Sequence, residues 1–155
     1  MVIRLATRND LERVMELNHQ LFLKESKEFD KTLNCDWPLG PKSREYFQSR
    51  IDGEGVCCVC EENGKILGYF AGGLTGREDY RLDFGQIAEL ENIFVLDNYR
   101  SQGLGQKMLD FLFDWCQKKS VARVKVIASV QNLKGIDFYE KNGFQKYNIV
   151  LEKVI

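Results

Sequence analysis

The chain has 155 residues, 44% of them hydrophobic, a size at which one compact domain buries a core without disulfide or metal staples. Its 22 basic and 23 acidic side chains leave a formal charge of -1, so nothing announces a broad basic surface for nucleic acid or anionic membrane, and neither partner is expected. No apolar run reaches the length of a membrane span and "MVIRLATRND" lacks the apolar core of a signal peptide, so the expectation is one cytoplasmic domain over residues 1–155.

A first strand is expected over Val2–Ala6. Asn9 or Asp10 then caps a helix carrying Leu11, Val14, Met15, Leu17, Leu21 and Phe22 at spacings of three and four, which makes one apolar face. His19, the only histidine, falls in this helix, which argues against Ser-His, Cys-His and polyhistidine chemistry. "FDKTLNCDWPLGPKSREYF" holds both prolines and Trp37. It reads either as a substrate-side segment or as a loop packed by its aromatics, ahead of a short helix near Ser43–Arg50. Two strands follow, Val56–Glu61 and Lys65–Leu74, joined through "ENGK", whose Asn63-Gly64 is a hairpin signal.

The five cysteines, at 35, 57, 58, 60 and 116, read as reduced, buried thiols. Cys57 and Cys60, three apart on a strand, point to opposite faces and are poorly placed to share a metal, so no metal site is expected. "TGREDYRLDFGQ" is a polar loop, and a strand Ile87–Val95 leads into a glycine turn. A helix from about Gly103 carries Leu104, Met108, Leu109, Leu112, Phe113 and Cys116 on one side. "RVKVIAS" is a strand, "NLKGIDFYEKNG" a helix ended by Asn142-Gly143, and "FQKYNIVLEKV" a final strand. The order, antiparallel early and βαβ-like late, gives an α/β class with a central mixed sheet and helices on both faces.

The glycine turn "NYRSQGLGQKML" lies between a strand and a helix, so the backbone N–H groups of the first helical turn have no intrahelical partners. Gly103 and Gly105 let an anion approach that backbone, the helix dipole favours it, and Arg100 adds a positive charge. A dinucleotide fingerprint would need a small residue where Met108 stands, and a P-loop would need Gly-Lys-Ser/Thr, which is absent. The alternative is that the two glycines serve tight helix–sheet packing.

"LENIFVLDNYRSQGLGQKML" resembles the acyl-CoA signature of the GNAT superfamily of N-acetyltransferases, with Arg100-Ser101-Gln102-Gly103-Leu104-Gly105 as its Arg/Gln-x-x-Gly-x-Gly/Ala turn. "NLKGIDFYEKNGF" resembles a later block of the same family, and the motifs are most similar to those of small-amine and polyamine acetyltransferases. The likeness is close from Glu89 to Phe144 and says little between Thr7 and Phe47. It implies a GNAT fold with a mostly antiparallel twisted sheet, and acetyl-CoA as cosubstrate. The pyrophosphate is then expected on the backbone from Ser101 to Gln106 and the pantetheine arm along Ile93, Phe94 and Val95. The apolar run Ile93-Phe94-Val95-Leu96 breaks the alternation seen through Glu89, Leu90 and Glu91, which suggests a bulge or splay there. Continuous burial on both faces is the other reading of that run.

An amine that is protonated at neutral pH must lose a proton before attacking a thioester, and the developing oxyanion needs a donor. The resemblance implies Glu91 as the base, with Glu89 on the same strand face. Either acts directly or through water, or both instead bind a cationic substrate. It also implies Tyr139 as the acid that protonates the departing thiolate and Asn132 as a cofactor or substrate contact; a tyrosine satisfied by backbone is the alternative. Glu78, Asp79 and Asp83, with Glu89 and Glu91, favour a small cationic amine, with Trp37 on the substrate side. A peptide N-terminus or lysine also suits these charges, and a non-catalytic acyl-CoA-binding module is the rival from another class. A homodimer is open.

Overall fold

The computed structural model describes residues 1–76, 78, 80 and 85–155. The elements are β1 (Val2–Leu5), α1 (Leu11–Glu28), α2 (Pro41–Ile51), β2 (Val56–Glu62), β3 (Lys65–Gly76), β4 (Gln86–Val95), α3 (Leu104–Lys118), β5 (Val121–Val126) and α4 (Leu133–Lys141). They form a five-stranded sheet in the order β1-β2-β3-β4-β5, antiparallel throughout except for the parallel pair β4–β5. Asn63 and Gly64 both take positive φ (51° and 74°), as a two-residue hairpin matching the strand twist requires.

Alternation along the strands sends side chains into two layers. On one face Leu11, Val14, Met15 and Leu17 of α1 and Phe47 of α2 pack on Cys57, Val59, Tyr69, Ala71 and Phe94. On the other, Leu104, Met108, Leu109, Leu112 and Cys116 of α3 pack on Val56, Cys58, Cys60, Phe70, Ala88 and Leu90. Cys57 and Cys60 therefore lie in different layers, as their spacing requires. Among the described residues no helix is long and apolar enough to cross a membrane.

The start of α1 differs from the simple cap expected. A 3-10 turn, Arg8–Asp10, precedes the helix, and the Asp10 carboxylate turns back to accept from Thr7 N (2.7 Å) and Thr7 Oγ1 (2.9 Å). Arg4 grips the same carboxylate with two bonds, of 2.7 and 3.0 Å. The Arg4 hydrogen bonds, against the cost of burial and helped by Thr7, hold the carboxyl down at about 2. A carboxyl depressed on folding gives stability that is present above pH 4 and is lost as pH falls through its folded value. Asp10→Asn is thus expected to cost about 2 kcal/mol at pH 7 and to flatten the stability profile between pH 4 and pH 2, as urea unfolding at a series of pH values will show.

Two expectations about strands are corrected. "FQKYNIVLEKV" forms no strand: residues 145–155 are exposed and lie outside the sheet, because alternation makes a segment able to pair without supplying a partner in the same chain. The interruption in β4 lies at Glu91 rather than at 93–96. Ala71 pairs with Asn92 and Gly72 with Leu90, leaving Glu91 as the extra residue of a β-bulge. A Cβ on Gly72 would stand 2.5 Å from Glu89 O, so glycine permits the close approach of the strands there.

Candidate active site

The bulge decides which side chains meet. Beyond it Asn92 and Phe94 face the α1 layer while Ile93 faces the α3 layer. Leu90 before it also faces the α3 layer, so Glu91 and the adjacent Asn92 project to one side together. Both reach the hydroxyl of Tyr46 on α2: the phenol donates to Glu91 Oε2, and Asn92 Nδ2 donates to the phenol oxygen at 3.0 Å. Arg50, four residues further along α2 and so on the same helix face, binds Glu91 bidentately at 2.6 and 2.8 Å. These side chains are only 20% and 21% exposed. The guanidinium also lies over the Tyr46 ring at 4.9 Å.

Space for Arg50 comes from two glycines. A Cβ on Gly55 would stand 2.5 Å from Arg50 Cδ, and one on Gly73 3.4 Å from Cζ. Burial, then the Glu91 carboxylate, push the Tyr46 phenol far above its usual range, so it remains a neutral donor. Behind the cluster, buried Asn18 donates to Tyr69 Oη (2.8 Å) and Asn92 Oδ1 (3.2 Å). Tyr46, Arg50, Asn92 and Asn18 were all missed in the sequence, where the one available signal was the four-residue spacing of Tyr46 and Arg50.

Glu89 pairs with Lys125 of β5 at 3.3 Å. Asp79 and Asp83 fall outside the described residues, and Glu78 is half-buried. Trp37 sits in a 3-10 turn, stacked on Phe22 at 5.8 Å and 6.4 Å from Tyr46. It is packed by aromatics, as the loop reading expects, and its neighbour Tyr46 is a member of the Glu91 cluster.

On the other side of β4 the sheet opens. The last pair between β4 and β5 is Leu90 with Val126, and β4 then runs on to Val95 paired only with β3 among the described strands. The Ile93 and Val95 side chains pack on the α3 layer and Phe94 on the α1 layer, and the backbone edge of 91–95 on the β5 side has no strand partner among the described residues. Arg100 closes the end of this edge: its Nε donates to Val95 O at 2.8 Å, it pairs with Asp97 at 2.8 Å, and it lies over Phe94 at 5.3 Å. It is a strut more than the free charge expected beside an anion.

The two glycines of the turn divide the roles that were left open. Ser101 (φ 59°) and Gly103 (φ 78°) bend the chain into α3, and nothing lies within 4 Å of where a Gly103 Cβ would be. The first N–H to reach a helical acceptor is that of Lys107, on Gly103 O at 3.1 Å, and among the described residues the six preceding N–H groups, 101–106, have none. Gly105 instead serves packing, since a Cβ there would lie 3.0 Å from Phe138 Cζ. Leu104 is buried, Gln102 reaches Asn98 O and Gln106 reaches Asp110.

Asn132 caps α4, accepting from Gly135 N at 2.9 Å. Tyr139 packs edge-on to Phe144 (5.6 Å) and beside Phe138 (5.4 Å), and its hydroxyl has no hydrogen-bond partner among the described residues. That removes the reading of a tyrosine satisfied by backbone. Burial, with the Glu25 carboxylate contributing, pushes its phenol up to about 12, and burial likewise raises Glu25. No contact joins Tyr139 to Glu91. A cavity of about 510 Å³ between α1 and the end of β4, bordered by Lys24, Lys27, Phe94 and Asn98, touches the open strand but not the Glu91 cluster.

The profile of the acetyltransferase (GNAT) family matches residues 11–144. An uncharacterized N-acetyltransferase of Methanocaldococcus jannaschii is 28% identical over 150 residues, covering 96% of this chain; the chain spans only 62% of that relative's length. A glucosamine 6-phosphate N-acetyltransferase of Arabidopsis thaliana is 29% identical over 110 residues, 70% of each protein. Among solved structures, that of a predicted acetyltransferase from Clostridium acetobutylicum with acetyl-CoA has a TM-score of 0.79 at 21% identity, over 99% of this chain and 95% of that one.

Proposed function

Because the chain belongs to the acetyltransferase (GNAT) family, we propose that it transfers an acetyl group from acetyl-CoA to a primary amine by direct attack in a ternary complex, with a small cationic amine as acceptor. The observation that carries this reading is the parting of β4 and β5 after Leu90, beside a turn whose six N–H groups have no backbone acceptor among the described residues. Acetyl-CoA supplies the thioester and its own leaving thiol. The backbone edge of 91–95 receives the extended pantetheine arm as it would an added strand, and the N–H groups of 101–106 receive the pyrophosphate at the positive end of α3. Glu91, held in place by Arg50 and Tyr46, takes the proton of the amine directly or through water. Tyr139, with its hydroxyl unpartnered, donates to the departing sulfur. Residues 1–155 act in this reading as one acetyltransferase domain.

The pairing of Glu91 with Arg50 bears on the acceptor. An ammonium does not meet a bare carboxylate here, so Glu91 serves chiefly as a fixed proton acceptor rather than as the sole partner of a cationic substrate. A small acceptor fits the name of the plant relative, which specifies an aminosugar phosphate. Following thiol release from acetyl-CoA with a diamine, an aminosugar and a short peptide with a free N-terminus tests the choice. The expected order puts both small amines above the peptide in kcat/KM; the peptide in first place would overturn the small-amine assignment.

Tyr139→Phe removes a hydroxyl and keeps the ring packing. Thiolate leaves tolerably well unaided, so kcat is expected to fall roughly 10-fold to 10³-fold while CoA affinity changes little. A phenol raised to about 12 keeps its proton as pH rises to that value, so its donor capacity persists through the neutral range. An alkaline limb near neutrality that vanishes in Tyr139→Phe would contradict the role.

A further inference from the structure

We propose that Asn18 and Asn92 are positioning residues for Glu91: with Tyr46 they form a hydrogen-bond chain of one fixed direction that helps fill one carboxylate oxygen and leaves the other, Oε1, to meet the acceptor amine. The role in amine transfer rests on the reading of Glu91 as the base; the direction of the chain does not. An ionised carboxylate accepts and cannot donate, so Tyr46, which keeps its hydroxyl proton, gives that proton to Glu91 Oε2. Toward Asn92 the phenol oxygen can then only accept, and it does so from Nδ2 at 3.0 Å. Asn92 Oδ1 is thereby turned to α1, where Asn18 Nδ2 donates to it at 3.2 Å. Each step is forced by the one before, from Glu91 inward.

The inner end of the chain bears the mark of that direction. Asn18 is fully buried and uses both amide protons, the second on Tyr69 Oη at 2.8 Å, while its own Oδ1 has no hydrogen-bond partner among the described residues. A buried acceptor left without a donor is destabilising, and few are found in folded proteins. Turning the amide over would set Asn18 Oδ1 against Asn92 Oδ1, two acceptors with no proton between them. The orphan oxygen persists because the direction is imposed from Glu91.

The acceptor sites on Glu91 show what the chain achieves. A carboxylate has about four, two on each oxygen. Arg50 Nε at 2.8 Å and the Tyr46 hydroxyl fill Oε2, whereas among the described residues Oε1 receives only Arg50 Nη2, at 2.6 Å. One site is left, on Oε1, for the N–H of the amine that loses its proton. Among the described residues the titratable groups around this chain are Arg50 and Tyr46 on α2, Tyr69 on β3 and Glu25 on α1, whose carboxylate bears on Tyr69. Glu89, two residues before Glu91 on β4, is paired with Lys125. Asn18 and Asn92 carry no charge, so replacing them with apolar residues changes hydrogen bonding and leaves the charges around Glu91 as they were.

The carboxyl carbon signal of Glu91, followed by NMR through a pH titration of the full chain without acetyl-CoA, reads the chain apart from catalysis. Tyr46→Phe removes one hydrogen bond to the ionised form and is expected to raise the Glu91 midpoint by about one pH unit or more. Asn92→Leu should raise it by less, since Tyr46 still donates but is no longer held, and should add nothing in a Tyr46→Phe background. Asn18→Leu should likewise add nothing in an Asn92→Leu background. Asn92 is only half-buried, so its variant decides where Asn18→Leu fails to fold. A midpoint unmoved by Asn92→Leu, or one whose shift adds in full to that of Tyr46→Phe, overturns the chain. The acidic limb of kcat is expected to move with the midpoint. A limb that stays in place while the midpoint moves upholds the chain and overturns only the reading of Glu91 as the base.

Discussion

Glu91→Gln is expected to lower kcat roughly 10²-fold or more and to move the acidic limb of its pH profile. Glutamine keeps the shape and can still accept from Tyr46, but it cannot take the amine proton and turns an N–H group toward Arg50. The substitution therefore has two consequences to separate. Loss of one partner of a bidentate pair that is about four-fifths buried is expected to cost about 1–3 kcal/mol of stability. Arg50→Gln breaks the same pair and leaves the carboxylate, so it should cost similar stability with a smaller fall in kcat. Steady-state kinetics and urea unfolding on both variants check this. Equal losses of kcat would make Glu91 a structural anchor for α2, and a change confined to KM would make it a substrate contact.

Gly103→Asp is expected to weaken CoA binding roughly 10²-fold or more, measured by calorimetry. The substitution places a carboxylate among N–H groups that have no other acceptor, where an anion is to sit. It also forces a side chain onto φ 78°, which costs about 1–2 kcal/mol by itself. Asparagine tolerates that conformation better and carries no charge, so Gly103→Asn separates backbone strain from electrostatics. Asparagine should retain most of the affinity that aspartate loses. Unchanged CoA affinity in a folded Gly103→Asp protein would remove the turn from the cofactor site.

What the sequence made legible was mostly local. The heptad-like face of α1, the Asn63-Gly64 turn and the Gly103 turn each depend on residues within a few positions of one another. The β4 interruption was detectable but displaced, because a broken alternation reports that register changes without fixing which residue is extra; only pairing with β3 identifies Glu91. The Arg50–Glu91 pair spans 41 positions and exists because α2 lies over β2 and β3 and Arg50 reaches Glu91 past the cleared backbones of Gly55 and Gly73, a relation that no local pattern contains. Gly105 and Asn132 match motif positions, yet one seats Phe138 and the other caps α4, so a motif match marked the place and left the physical role undetermined. The final segment shows the same limit in reverse, since its alternation described a strand that finds no partner among the described residues.

Direct transfer to the amine is the central claim, and the thiols bear on it. Burial raises Cys57 to about 12 and Cys116 to about 11, and raises Cys58 and Cys60 as well, so these four are poor nucleophiles at neutral pH. The most direct measurement is the intact mass of the protein after incubation with acetyl-CoA, first alone and then with an acceptor amine. The account predicts an unmodified protein in both, with CoA released and the amine acetylated only when both substrates are present. A protein that gains one acetyl group from acetyl-CoA alone, and then passes it to the amine after acetyl-CoA has been removed, would contradict it.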